Sequence, residues 1–512
     1  MNRVVSVNPA TGVERELDVE ETTPAQVNAF ADRAGSIALD YAWRPLSWRA
    51  DMLSAMAGEL EADAPRLVEI ASEETALGTA RLEGELRRTA FQLRFFADVV
   101  LDGAFLAASI DHARDSPMGP LPDLRRVRVP LGPVAVFGSS NFPFAFSVPG
   151  GDTTSALAAG CPVVIKAHPA HPATSLATFE ALRRGAANLG APEGLLALVF
   201  GFEAGVALVE APSIRAVGFT GSVPAGRSLW SRANARVVPI PFFGELGAAN
   251  PLVVTPAAAA ERAQEIATGA AGSMTLGVGQ FCTKPGLLFV PQDEHGDQLV
   301  AAVVDALNQL STMTMLSEGI AEHFRTGIVS IAGVDGNNQL VGEGRVNGTS
   351  VNAQLFEVSA KVFSDPSSRA LREEFFGPLA IVVRYLGRDD LEGALHVADP
   401  ALTFSVFVAE NDGDAAWLIE LGQTKAGRVI ANAYPTGVGV SWSMQHGGPW
   451  PATTAPSATS VGASSIERWL RPVTYQNVPD ELLPEALREE NPLAIPQRVD
   501  GVVRVDSAAG LR

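Results

Sequence analysis

Four short apolar runs, each followed by a turn and then a helical stretch, narrow the folds open to this chain. They are Val134-Ala135-Val136-Phe137, Pro162-Val163-Val164-Ile165, the run from Leu196 through Leu198, Val199 and Phe200, and Ala216-Val217-Gly218-Phe219. A strand with no polar position is buried on both faces, as central parallel strands are. Segments 152–159, 174–189 and 205–210 between them read as helices. Strand and helix in alternation predict an α/β fold built on a doubly wound parallel sheet. Upstream, segments 47–62, 65–77 and 84–100 carry apolar residues at helical spacing. Pro65 suits the first turn of its helix, where a missing N–H costs nothing. Segment 123–130 alternates charged and apolar side chains, as an edge or linking strand does. A second alternating stretch runs from about Leu252 to Ile430, and no repeat of solenoid period is visible. At 512 residues the chain is too long for one core.

Composition removes several functions. A net charge of −19 argues against nucleic-acid binding, which needs a basic footprint. Two cysteines cannot form a disulfide framework, so a reducing compartment, the cytoplasm, is expected. The N-terminus has no apolar h-region of a secretory signal. The uncharged stretch 131–151 is long enough to cross a bilayer but holds Pro133, Pro143 and Pro149, which break a helix, so no membrane span is expected.

Ligands of such a sheet bind at the carboxyl ends of its strands. The first run ends at Gly138-Ser139-Ser140-Asn141-Phe142-Pro143, the second at Lys166-Ala167-His168-Pro169 and the fourth at Thr220-Gly221-Ser222. No GxGxxG fingerprint is present, but a glycine turn opening a helix at Gly221 is able to receive a pyrophosphate. Glu245, in a glycine-punctuated apolar run, is either a solvent-facing turn carboxylate or a general base. Cys282 lies in Gly279-Gln280-Phe281-Cys282-Thr283-Lys284-Pro285-Gly286, a glycine-flanked loop where a thiolate is reachable. Most free cysteines are small buried hydrophobes, and that is the reading for Cys161 at the head of an apolar strand. The His168-Pro169-Ala170-His171 run has the wrong shape for a two-histidine helix face, so no metal is expected.

The Asn141 run, Phe219-Thr220-Gly221-Ser222, Glu245-Leu246-Gly247, the Cys282 loop and Glu374-Phe375-Phe376-Gly377-Pro378 occur in that order. Their order and spacing resemble the aldehyde dehydrogenase superfamily over most of the chain. The resemblance implies a Rossmann-type cofactor domain over 1–116 and 132–248 and an α/β catalytic domain over 249–459. A small β oligomerisation arm and tail would take 117–131 and 460–512. It implies Cys282 as nucleophile, Asn141 as oxyanion donor and Glu245 as the base for hydrolysis of a cysteine thioester. Cofactor contacts would come from Ser140, Lys166, Gly221, Ser222, Leu246, Glu374 and Phe376. Phe142, Phe146, Phe281 and Thr283 beside these positions are candidates for the substrate tunnel. A homodimer or homotetramer is implied.

Many NAD-preferring members carry a glutamate three residues after the lysine, which repels a 2′-phosphate. Pro169 stands there, so NADP is expected, with NAD also used; His168 or Arg215 would be sources of positive charge. Segments 163–172, 434–438 and 446–453 resemble the 2,5-dioxovalerate (α-ketoglutaric semialdehyde) dehydrogenases and, next to them, an NADP-dependent long-chain fatty aldehyde dehydrogenase. Trp450 departs from the pattern. So does Lys284, which would attract a substrate carboxylate, hold the thiolate or face solvent. A cysteine-dependent ester or thioester hydrolase and a silent scaffold are the readings from other classes. Lys166 and Glu374 speak against the first, and the full set Asn141, Glu245 and Cys282 against the second.

Overall fold

The computed structural model describes residues 2–342 and 348–505. Two sheets dominate. The first has five parallel strands in the spatial order Phe242–Glu245, Ala216–Thr220, Val134–Phe137, Val163–Lys166, Leu196–Val199. The four apolar runs of the sequence are four of these strands. Alternate side chains of each strand enter opposite cores. Val134, Val136, Val163 and Ile165 pack against the helices Leu46–Ala62, Thr79–Asp102 and Pro172–Asn188, whereas Ala135, Phe137 and Val164 face Val27, Ala31 and Leu208. The order reverses between Val134–Phe137 and Ala216–Thr220, which opens a crevice at their carboxyl ends.

The second sheet has seven strands, in the order Asn338–Val341, Gln354–Ser359, Leu379–Tyr385, Pro285–Pro291, Asn250–Val254, Ala401–Phe407, Ala426–Ala431. All neighbours are parallel except the first pair. A third sheet joins Leu124–Pro130 to Leu470–Gln476 on one side and Ala108–Asp111 on the other, and Gln497–Val499 extends it. The acidic tail therefore pairs within its own chain. Among the elements that escaped the sequence reading are the hairpin of Arg3–Val7 with Glu14–Glu20, the helix Pro24–Ala42 and the edge strand Phe242–Glu245. Among the described residues no helix is long and apolar enough to cross a membrane.

The loop after Val163–Lys166 is held by a buried carboxylate. Glu74, 1% exposed, accepts from the amides of Ala173 (2.8 Å) and Thr174 (2.7 Å) and from the hydroxyls of Ser6 (2.6 Å) and Thr174 (2.7 Å). It thereby caps the helix Pro172–Asn188 from a distant segment. His171 then bridges to the neighbouring loop, with Nε2 2.8 Å from the Ser139 carbonyl. Glu74→Ala would strand several buried donors at once, and we expect it to cost at least about 3 kcal/mol. The check is a lowered midpoint and faster rate of thermal inactivation; an unchanged midpoint would contradict this role for Glu74.

Candidate active site

The crevice collects residues from both large sheets. Glu245 is the last residue of the edge strand Phe242–Glu245, and Asn141 lies on the loop that follows Val134–Phe137. Cys282 stands between a 3-10 turn, Leu276–Gly279, and the strand Pro285–Pro291. That turn is left-handed at Gly277 (φ 56°), Val278 (φ 62°) and Gly279 (φ 64°). Glycine is required at 279, because a Cβ there would run into the Gly377 carbonyl. Val278 is a β-branched residue in the left-handed region, a strain held in place by its surroundings. Asn250, fully buried, fixes the nucleophile from below. Its Nδ2 donates to the carbonyls of Cys282 (2.8 Å) and Lys284 (3.0 Å), and its Oδ1 accepts from the Thr403 amide (3.0 Å).

The central group is a trio that the sequence reading had only in part. Cys282 Sγ lies 3.5 Å from His446 Nε2, and His446 Nδ1 lies 2.8 Å from Glu245 Oε1. The ring and carboxylate are not aligned for a hydrogen bond, and with the imidazole protonated the contact is an ion pair. The other carboxylate oxygen, Oε2, accepts from the Ser460 hydroxyl. Glu245 is therefore not a solvent-facing turn residue; it is 4% exposed, and His446 is 3% exposed. Burial alone would depress the histidine, but the charges of Glu245 and Cys282 outweigh it and push His446 up to about 10. The raised value means that the pairing supports the fold fully below pH 6.5 and loses its contribution as pH climbs toward 10.

Asn141 Nδ2 donates to the Gln280 carbonyl (2.9 Å), which brings its amide to the nucleophile loop. Phe142 packs on Phe146 (ring centroids 5.2 Å apart) and on Phe281 (5.0 Å), an aromatic cluster beside that loop. Phe146 also reaches the His446 ring at 6.1 Å. Thr283 is buried with its hydroxyl unpaired.

Of the remaining predicted residues, Ser140, Lys166, Gly221, Ser222 and Leu246 end or follow strands at the carboxyl edge of the five-stranded sheet. Lys166 ends Val163–Lys166, and burial draws its ammonium down to about 8 against the pull of Glu21. Ser140 is half-buried on the Asn141 loop. Gly221 and Ser222 are exposed where the helix Val223–Ala235 begins, so its first amides face the crevice. Leu246 is buried against Gly226 of that helix. Glu374 and Phe376 are half-buried in the turn before Leu379–Tyr385, and Glu374 abuts Gly247. Burial raises the Glu374 carboxyl to about 7, Lys284 opposing. A glycine turn, a lysine and an accepting carboxylate along one crevice fit a dinucleotide.

Lys284 does none of the three things expected of it. It is buried, and Nζ donates to the carbonyls of Phe375 (3.0 Å) and Leu379 (2.6 Å), pinning the Glu374 turn to the nucleophile loop. The expected sources of charge near Lys166 also fail. Burial first, then His171 and Lys166, push His168 well below the usual histidine range, so it is neutral. Arg215 precedes Ala216–Thr220, at the opposite end of the sheet. Trp450 lies against Trp230 (5.7 Å) and under Arg227 (5.7 Å), partly exposed. Cys161 is fully buried, and burial pushes its thiol up to about 11.

The model of the Aldehyde dehydrogenase family matches residues 2–450. The chain belongs to that family. It is an oxidoreductase that acts on aldehydes with a nicotinamide cofactor. Alpha-ketoglutaric semialdehyde dehydrogenase 2 of Azospirillum brasilense is 46% identical over 500 residues, 96% of this chain and 93% of that one. Alpha-ketoglutaric semialdehyde dehydrogenase of Acinetobacter baylyi is 40% identical over 94% of this chain and 92% of that one. Among solved structures, NADP-dependent glyceraldehyde-3-phosphate dehydrogenase from Bacillus halodurans superposes with a TM-score of 0.78 at 25% identity, covering 93% of this chain and 95% of that one. Aldehyde dehydrogenase 21 from Physcomitrella patens shares the fold, with a TM-score of 0.79 at 20% identity over 93% and 95% of the two chains.

An imidazolium 3.5 Å from Cys282 Sγ attracts the negative charge that the sulfur carries as it attacks. In His446→Ala we therefore expect alkylation of Cys282 by iodoacetamide at pH 7 to slow by roughly tenfold, the size of one charged neighbour. A rate equal to that of the unmodified protein would show that His446 does not act on the sulfur.

Proposed function

We propose that the aldehyde oxidised here is 2,5-dioxovalerate, the α-ketoglutaric semialdehyde, and that the product is 2-oxoglutarate. The observation that carries the reaction is the trio of half-buried Cys282 with buried His446 and Glu245. The two semialdehyde dehydrogenases similar to this chain over more than nine-tenths of its length support the substrate.

In this reading Cys282 Sγ attacks the aldehyde carbon and forms a thiohemiacetal. The Asn141 amide and the Cys282 backbone N–H stabilise the oxyanion, neutral donors held at fixed positions. A bound nicotinamide would supply the hydride acceptor that oxidation of the thiohemiacetal carbon needs. Glu245 takes the proton from the water that opens the resulting thioester, and the carboxylate product leaves Cys282 free. Ser140, Lys166, Gly221, Ser222, Leu246, Glu374 and Phe376 hold the dinucleotide, with Glu374 receiving ribose hydroxyls. Phe142, Phe146, Phe281 and Thr283 line the approach of the aldehyde. NADP is the proposed cofactor, with NAD also used: Pro169 supplies no carboxylate beside Lys166, although Glu21 stands within electrostatic reach of that lysine.

Residues 1–116 and 132–248 form the cofactor domain of this proposal, 249–459 the catalytic domain, and 117–131 with 460–512 the arm and tail. A homodimer or homotetramer fits the arm, whose sheet ends on Val502–Arg504 with Val502 and Val503 exposed.

The test is reduced-cofactor formation with 2,5-dioxovalerate against a panel of aliphatic and aromatic aldehydes, using NADP and NAD. Preferred turnover of the keto-acid semialdehyde is expected; preference for long-chain or aromatic aldehydes would discard the substrate. In Glu245→Gln, one equivalent of reduced cofactor should still form ahead of the steady rate, slowed by no more than the roughly tenfold expected when the sulfur loses its cation. The steady rate should then fall by at least about 100-fold, because the thioester is no longer opened efficiently. Loss of the first turnover along with the rest would contradict a role for Glu245 after hydride transfer.

A further inference from the structure

Two arginines, Arg81 and Arg88, lie over the aromatic rings beside Cys282, and a third, Arg428, bonds the segment that Arg88 holds; none has a carboxylate partner among the described ion pairs. Arg81 lies over Phe142 and Phe281, with Cζ 5.1 and 5.0 Å from the ring centroids, and donates Nη2 to the Asn141 carbonyl (2.7 Å). Arg88 lies over Phe146, 5.3 Å from its centroid, and donates Nε and Nη2 to the Val438 carbonyl (3.3 and 3.2 Å). Arg428 donates Nη1 to the Gly437 carbonyl (3.1 Å) and Nη2 to that of Pro435. Arg88 and Arg428 thus hold successive carbonyls of one segment. Both are near enough to Cys282 to feel its charge.

The donors are not used up. Arg81 Nη1, Arg88 Nη1 and Arg428 Nε are buried without a partner. Among the described residues Glu85 is the carboxylate that acts on Arg81 and Arg88, but it bonds neither: its Oε1 accepts from the amides of Phe144 (2.8 Å) and Ala145 (2.9 Å), and its Oε2 is buried with no hydrogen-bond partner. Cations with spare N–H groups, in partly buried surroundings, are costly unless an anion joins them. A guanidinium offers a carboxylate the fork geometry that it binds best.

We propose that Arg88, with Arg428 holding the same segment, binds a carboxylate carried by the aldehyde substrate. The enzyme then selects aldehydes with an anionic group over neutral chains of equal length. The inference rests on the aldehyde-oxidising role of Cys282, but not on which carboxylated aldehyde is used. Cations over the aromatic rings also disfavour a long-chain fatty aldehyde, whose tail offers them nothing.

The test compares kcat/KM for 2,5-dioxovalerate, succinic semialdehyde and neutral pentanal in the unmodified enzyme, Arg88→Met and Arg88→Lys. The ratio of carboxylated aldehyde to pentanal should fall roughly 10- to 100-fold in Arg88→Met, as loss of a charged hydrogen bond predicts. The loss should appear in KM, with partial recovery in Arg88→Lys. Binding of NADPH, followed by its fluorescence, reports that the variants are folded. Independently of turnover, glutarate should slow alkylation of Cys282 by neutral iodoacetamide in the unmodified enzyme and fail to do so in Arg88→Met. The proposal is overturned if all three aldehydes lose activity alike, if the ratio does not move, or if glutarate protects both proteins equally. Should 2,5-dioxovalerate be inert while succinic semialdehyde shows the Arg88 dependence, the substrate named above falls and the carboxylate site stands.

Discussion

Glu245 closes a parallel strand with a carboxylate that is almost wholly removed from water. An ionised group in that position needs a cation and hydrogen bonds, or it gives up its charge. His446 supplies the cation and Ser460 the hydrogen bond, and both come from one irregular segment. That segment is stitched to the strand itself. Thr454 donates its amide to the Gly244 carbonyl (3.0 Å) and accepts from the Gly244 amide (2.8 Å), while the Leu246 amide reaches the Ala452 carbonyl (2.8 Å). Satisfying one carboxylate therefore draws the 446–460 stretch against the edge of the first sheet and sets an imidazole beside Cys282.

The nucleophile loop meets the same point from the second sheet and is over-determined. Asn250 bonds its carbonyls, Gly277 to Gly279 turn it left-handed, and Lys284 fastens it to the Glu374 turn. Rigid placement of sulfur, base and oxyanion donor is what proximity catalysis requires, since a misplacement of about 1 Å costs orders of magnitude in rate. Lys284 adds a link between the sulfur and the carboxylate proposed to hold the cofactor. Burial lowers it to about 8 and raises Glu374 to about 7, so each partner steadies the other's charge.

Much of this was legible in the chain. The strands Val134–Phe137, Val163–Lys166, Leu196–Val199 and Ala216–Thr220 announced themselves because burial on both faces leaves no polar position. Cys282 showed through its glycines, of which Gly279 is required by the close approach of Gly377. His446 did not, although it sits in a glycine- and proline-rich run that was noticed. It lies 164 residues from Cys282, and only the fold brings the two together. Arg88 was hidden for a different reason: an arginine on an amphipathic helix reads as a solvated face, and its burial depends on the distant Val438 loop. Lys284 misled because a lysine is rarely buried, and the carbonyls that receive it are 91 and 95 residues away.

The claim at the centre of this account is that Glu245, His446 and Cys282 behave as one electrostatic unit. A double-mutant cycle on the alkylation rate of Cys282, in Glu245→Gln, His446→Ala and the pair together, tests it without substrate or cofactor. If the Glu245 charge keeps His446 protonated, removing either leaves the sulfur without its cation, and the double variant should be no slower than the slower single one. Losses that multiply in the double variant would mean that the two residues act on the sulfur separately, and the unit would dissolve.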